Sequence, residues 1–239
     1  MPETSIRLPR PDWLLYAVAF LILAASAGYG ALRYPNLPER FPIHWNAAGF
    51  ADGYAGKSIG TAFFGVFIGL GVLLLFLVIA WLLGRAAQRQ GIRSIPHLAA
   101  TQRFLGVLSI VLALVFWLVN QQVWAVSEKT TNPLLLVLLI AVGLAIAAIF
   151  ANRRYRAELG KLPPRDPAEP APGPREDERF WAAGFVYHNP DDRSVIVPKR
   201  SGLGYTVNWG RPGGKALLLG VLAIPVVAVG IALWAAMPR

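Results

Sequence analysis

The sequence predicts an all-α polytopic membrane protein of about five transmembrane helices, with a small cytoplasmic β-meander before the last helix. Three observations carry that expectation. Of 239 residues, 55% are hydrophobic and only 15% charged, and a mean hydropathy of +0.48 is too high for an ordinary soluble domain. Five apolar runs are long enough, at about 1.5 Å per residue, to cross a hydrocarbon core roughly 30 Å thick. One further segment, residues 179–214, shows strand-like runs between turn residues instead of helical texture.

Residues 1–12 form a short tail with Arg7, Arg10 and three prolines. The first span, 13–32, is too long for the apolar part of a signal peptide and has no convincing cleavage site at its end, so it reads as a retained helix. The second, 61–83, carries Gly65 and Gly69 one helical turn apart, which permits close helix packing. Residues 84–103 read as a basic loop without an acidic side chain, in which Gly91 and Pro96 break any long helix and His97 is solvated or interfacial. The third span, 104–126, ends in three consecutive amides, Asn120, Gln121 and Gln122. Adjacent positions point in different directions, so at least one must face protein or water. After a turn at 127–132, the fourth span, 133–150, has no polar side chain. Residues 151–178 are a proline-rich, charged linker, 179–214 a small β-rich module, and 216–237 a fifth span interrupted by Pro225.

The net charge of +10 would suggest nucleic acid in a soluble protein. Here most of the 23 Lys and Arg fall in the tail, the second connection and the long segment after the fourth span, so direct nucleic-acid contact is not expected. By the positive-inside rule those segments are cytoplasmic, and the first connection and the C-terminus are outside. The absence of cysteine excludes disulfides and thiolate chemistry. No metal, cofactor or enzymatic activity is expected.

The polar, motif-like stretch 37–57, LPERFPIHWNAAGFADGYAGK, is trapped between two apolar runs. Pro38, Pro42, Gly49, Gly53 and Gly56 exclude a regular helix and favour a tightly turned loop, and Phe41, Trp45, Phe50 and Tyr54 suit a membrane interface. The stretch is either a structural plug or a ligand site. Leu37, Pro38, Pro42, His44, Asn46, Gly49, Asp52 and Lys57 resemble the signature loop of the SdpI-like bacterial membrane proteins. That resemblance implies a bacterial cytoplasmic (inner) membrane. It also implies kinship with a toxin-immunity protein that signals by holding a transcriptional repressor at the membrane.

In the second patterned segment, residues 181–187, 194–198 and 204–209 read as three strands of an antiparallel meander, with a turn at Asn189-Pro190-Asp191-Asp192. Its pattern, FWxxGxxYxNPxD followed by VPKRxGxGxTxN, is similar to an uncharacterised domain found in chains with the signature loop. The toxin-immunity member lacks such a module. Lys199 to Gly204 lacks the order of a phosphate-binding loop and no helix follows it.

The leading functional expectation is a receptor or immunity-type protein that senses an extracytoplasmic peptide or amphiphile and signals to a cytoplasmic regulator. Its ligand site would combine Pro42, His44, Trp45, Asn46, Gly49 and Asp52 with Gln121 and Gln122, which the predicted topology brings to the same leaflet. Trp181, Tyr187, Asn189, Asp192, Lys199, Arg200, Tyr205 and Asn208 would contact the regulator or membrane lipids. A transporter is the alternative, although no span carries a charged residue or histidine in its apolar body. An enzyme with His44 as base and Asp52 as its partner is the third reading.

Overall fold

In the computed structural model, which describes residues 10–46, 48–88, 92–129, 133–164, 173, 175–182, 186–200, 205–220 and 223, membrane-length helices dominate. Among the described residues four stretches are long and apolar enough to span a bilayer: Trp13–Asn36, Phe64–Arg85, Ile92–Trp124 and Leu135–Leu159. They correspond to helices α1 (Trp13–Arg33), α3 (Phe64–Gln88), α4 (Ile95–Trp124) and α5 (Pro133–Leu159), with a short α2 (Ile59–Ala62) preceding α3. The expected fifth span lies outside the described residues beyond Gly220, apart from Ala223; residues 212–220 are helical. The chain divides into two compact units. One comprises Trp13–Leu77, Gly106–Ile146 and Ile224–Arg239, the other Met1–Asp12, Val78–Leu105 and Ala147–Ala223.

In the first unit the stretch read as a turned loop is a β-hairpin. Strands β1 (Arg40–Trp45) and β2 (Ala51–Gly56) pair antiparallel from Arg40 opposite Gly56 to Trp45 opposite Ala51, with register shifts on either side of His44. Pro42 has no N–H for the ladder, which accounts for a shift beginning there. The reversal is built by Asn46, whose side-chain oxygen accepts from the backbone N–H groups of Ala48 and Phe50, both at 3.0 Å. Gly49 sits at φ 84°, a left-handed conformation that glycine adopts without steric cost. Residues following α4 extend the hairpin: Ala51 donates to the Glu128 carbonyl and Phe50 bridges to Lys129.

A core of Leu37, Phe41, Ala62, Val66, Val123 and Trp124 fastens this hairpin to α3 and α4. The Trp124 indole donates to the Ala62 carbonyl at 2.9 Å, so its one polar atom is satisfied in the apolar interior. Glycines make the helix contacts close. The Trp124 ring lies over Gly30 of α1, Asn120 of α4 fills the space at Gly65, and Leu23 and Phe116 fill that at Gly69. The Gly65 and Gly69 pair thus serves packing within the chain.

In the second unit both expected helix ends move. α3 continues to Gln88, and α4 begins at Ile95 after a single 3-10 turn, Ile92–Ser94, so most of the predicted basic loop is helical. Pro96 occupies the first turn of α4, where a missing N–H costs nothing, and therefore starts a helix instead of breaking one. α5 likewise runs past its apolar part to Leu159, carrying Arg153, Arg154 and Arg156 in its final turns, where cations suit the helix dipole. The predicted linker therefore begins inside a helix.

The β-rich module differs from the three-stranded meander. The run 181–187 supplies two short strands in place of one, β3 (Trp181–Ala182) paired antiparallel with β4 (Val186–Tyr187). β5 (Ile196–Pro198) pairs with β6 (Tyr205–Val207), and a parallel bridge joins Tyr187 to Asn208. Trp181, Tyr187 and Val197 form the small core.

Gly65→Ala is expected to destabilise the protein by about 1–3 kcal/mol, because its methyl group would overlap the Asn120 side-chain oxygen. Gly71→Ala, with nothing within 4 Å, is expected to be neutral or slightly stabilising. Thermal unfolding of the two variants in detergent measures the contrast.

Candidate functional site

Most residues of the 37–57 motif are committed to building the hairpin. Pro42 is buried in β1. The Trp45 indole donates to the Ser127 carbonyl at 2.8 Å, and the Lys57 ammonium bonds the Pro35 and Leu37 carbonyls at 3.1 and 2.8 Å while lying over the Tyr34 ring. Asn46 and Gly49 form the turn. Tyr54 donates to Glu128 at 2.6 Å, which raises the phenol's pKa.

His44 and Asp52 stand apart from that scaffolding. The His44 Nδ1 lies 2.6 Å from Asp52 Oδ1, and the two side chains are 69% and 44% exposed. Gly53 faces His44 across the strands, and a Cβ there would come within 2.8 Å of the His44 Cβ, so glycine is what lets the imidazole reach Asp52. A carboxylate on Nδ1 favours the tautomer that leaves Nε2 open.

His44 also lines a cleft of about 810 Å³, within the size range of small-molecule sites. Ile43 and His44 come from β1, Ser58, Gly60, Thr61 and Ala62 from the α2 turn, and Phe64, Gly65 and Ile68 from α3. Val115, Phe116, Val119, Asn120 and Val123 come from α4. Its polar groups are few and partly engaged. Ser58 and Thr61 form a capping box for α2, and Thr61 also donates to the Gly56 carbonyl at 2.7 Å. Asn120 is buried and its amide nitrogen donates to Ser26 of α1 at 3.3 Å. The remainder is aliphatic and aromatic. The site suits an apolar body with a polar end at the His44 mouth.

Of the three successive amides, Asn120 is the one that lines this cleft; Gln121 and Gln122 do not, because each step along a helix turns the side chain by about 100°. Trp45, Asn46, Gly49, Asp52 and Pro42 also lie outside the lining. The apolar contributions of α3 and α4, and the hydroxyls of Ser58 and Thr61, carry no sequence signal that separates them from ordinary span and cap residues.

The residues predicted to contact a regulator or lipid divide in the same way. Trp181, Tyr187, Asn189 and Asn208 are buried. Asn208 binds the module together: its amide nitrogen donates to the carbonyls of Asn189, Asp192 and Ser194, and its oxygen accepts from the N–H groups of Asn189 and Gly210. Asp192 is held by Arg175 at 2.9 Å, and that guanidinium keeps its carboxyl well below the usual range. Arg200 pairs with Glu178. Tyr205 remains open at 71% exposure, and Lys199 is half-buried.

Glu178 collects a cluster that sequence reasoning missed. Tyr155 of α5 and Arg200 both donate to its carboxylate, and His97 Nε2 of α4 lies 3.7 Å away. His97 is therefore not solvated: it is fully buried, its ring 5.1 Å from that of Tyr155 and edge-on to Trp181 at 5.8 Å. Burial alone would raise the Glu178 pKa. The nearby His97 imidazole, the hydrogen bond from Tyr155 and the Arg200 charge outweigh it and hold the carboxyl at about 2.

Residues 21–70 match a family described as Domain of unknown function (DUF1648), and residues 190–215 match a Family of unknown function (DUF5808). The first match contains the hairpin and the whole 37–57 motif; the second contains β5, β6 and Asn208. No curated protein and no solved structure matches the chain.

Glu178→Gln is expected to cost about 2 kcal/mol at neutral pH, through loss of charged hydrogen bonds. Because the folded pKa is depressed from 4.5 to about 2, the carboxylate's contribution is complete above the unfolded value and fades as pH falls from 4.5 towards 2. The difference in thermal unfolding between wild type and variant should therefore narrow as pH falls from 7 to 3.

Proposed function

We propose that this membrane protein is a receptor of the immunity type, whose hairpin-capped cleft takes the apolar portion of an extracytoplasmic amphiphile or peptide. The observation that carries the reading is the cleft itself. Some 810 Å³ of mostly apolar space meets the bilayer-length helices α3 and α4 and ends at His44, which pairs with the exposed Asp52. A ligand with a lipid-like tail and a polar or charged end matches that division.

The finer parts of the proposal rest on sequence. The distribution of Lys and Arg supports an N-terminus in the cytoplasm of a bacterial cell and the hairpin on the outside. The resemblance of the 37–57 motif to SdpI-like proteins supports immunity or signalling. In this reading the module after α5 faces a cytoplasmic regulator. A second reading, a membrane enzyme with His44 as general base oriented by Asp52, draws on their 2.6 Å contact.

A photoreactive residue at Val119, introduced into the full chain in bacterial cells, tests both. The receptor reading expects capture of an amphiphile or hydrophobic peptide. Gly60→Leu, at a position where a Cβ meets only the Ser58 hydroxyl at 3.8 Å, is expected to fill the cleft and abolish capture without lowering the melting temperature. Capture of this protein's own helices alone would overturn the cleft as a ligand site. The enzyme reading expects the captured species to be chemically altered with wild type and unaltered with Asp52→Asn. Because the pair is exposed, His44→Ala is expected to change stability by less than about 1 kcal/mol, so any loss of capture reports on binding.

A further inference from the structure

The β5–β6 pair has two unlike faces. Val197 is fully buried with Trp181 and Tyr187, whereas Ile196, on the opposite face by strand alternation, is 52% exposed. Pro198 shares that outer face and pairs with Tyr205, which is 71% exposed. Trp209 lies exposed just past β6, and Leu217 and Leu219 are exposed on the helical residues 212–220. Exposed apolar side chains on one face of a strand pair, with Tyr and Trp among them, mark an interaction surface.

The charges around this face are sorted. Asp177, Glu178 and Asp192 are held by Arg179, Arg200 and Arg175, while Asp191 and Glu176 are exposed. Arg193, Lys199 and Lys215 have no ion-pair partner among the described residues, and they flank the exposed apolar side chains in sequence. The surface therefore combines apolar side chains able to insert with uncompensated cations. Downstream the sequence passes directly into the apolar run 216–237, which would bring the chain to a bilayer surface.

We propose that the outer β5–β6 face is a membrane-docking surface for anionic phospholipid: Ile196, Tyr205 and Trp209 enter the headgroup layer, and Arg193, Lys199 and Lys215 bind its phosphates. Charge complementarity selects this occupant. A neutral apolar partner would leave the three cations unused, while anionic headgroups answer both features of the surface. The inference rests on the chain being a membrane protein and is independent of what the cleft binds.

The chain contains no cysteine, so a single Ile196→Cys or Tyr205→Cys replacement accepts a polarity-sensitive fluorophore at one place. The full chain is reconstituted in nanodiscs of phosphatidylcholine, or of phosphatidylcholine and phosphatidylglycerol in equal parts. The expected result is quenching of both labels by nitroxide-bearing lipid, with protection from aqueous iodide, each stronger in the anionic discs. A label at Glu176→Cys, an exposed acidic position, is expected to remain open to iodide. Replacing Arg193 and Lys199 together by Gln is expected to lower the docked-to-undocked ratio by roughly thirtyfold, at about fivefold per lost cation, with the corresponding double Glu variant more affected than Gln. Iodide access at residues 196 and 205 in both disc types would overturn the proposal. So would protection without lipid quenching, the sign of a second copy or another protein on the face, and so would quenching indifferent to lipid charge and to the double variant.

Discussion

Hydrocarbon cannot hydrogen-bond, so a chain leaving a membrane helix must satisfy its polar groups from within itself; that constraint shapes the hairpin unit. Lys57 supplies an ammonium to the Pro35 and Leu37 carbonyls just after α1 ends, and Trp45 supplies an N–H to Ser127 just after α4 ends. Trp124 closes the Ala62 carbonyl where α2 gives way to α3, and Ser58 and Thr61 cap the turn before it. Deeper, Asn120 would be an expensive amide in an apolar bundle, but Ser26 pairs with its nitrogen and Gly65 gives it room. The hairpin is the shape that lets one connection answer all these demands, with its own ladder satisfying its backbone.

The same accounting explains the second patterned segment. A module with strands of two and three residues cannot be held by ladders alone, and Trp181, Tyr187 and Val197 make only a small core. Asn208 compensates by serving five backbone partners, which short strands leave unpaired. Gly210 and Gly214 pass so close to Asn189 and Asn208 that a Cβ at either would overlap backbone atoms. Glu178 adds a charged anchor to α4 through His97 and to α5 through Tyr155, with Arg200 completing the cluster, and its depressed pKa predicts that this anchor weakens in acid.

The sequence was legible where a physical rule acts locally. Apolar length alone marks the four helices, with α1 placed to within a residue at each end. It was less legible where a residue's role depends on distant partners. Pro96 reads as a breaker until the helix is seen to start there, and the run of arginines after residue 152 reads as linker until α5 is seen to continue through it. His97 looked solvated because Tyr155, Glu178 and Trp181 are remote in sequence. The motif around His44 was visible, but not that β1 and β2 would pair, since prolines and glycines obscure strand alternation.

The distinction between visible pattern and available chemistry bears on where function is sought. A residue whose every polar atom is already bonded, as in Asn208, or whose side chain forms a turn, as in Asn46, explains a recurring spacing through folding alone. Removing such residues would abolish any activity and so identify none. His44 with Asp52, the aliphatic lining contributed by α3 and α4, and the outer face of β5–β6 have surface left over after the fold is accounted for. Binding requires unspent surface, so the less patterned positions beside each motif carry the functional hypotheses, and the motifs hold them in place.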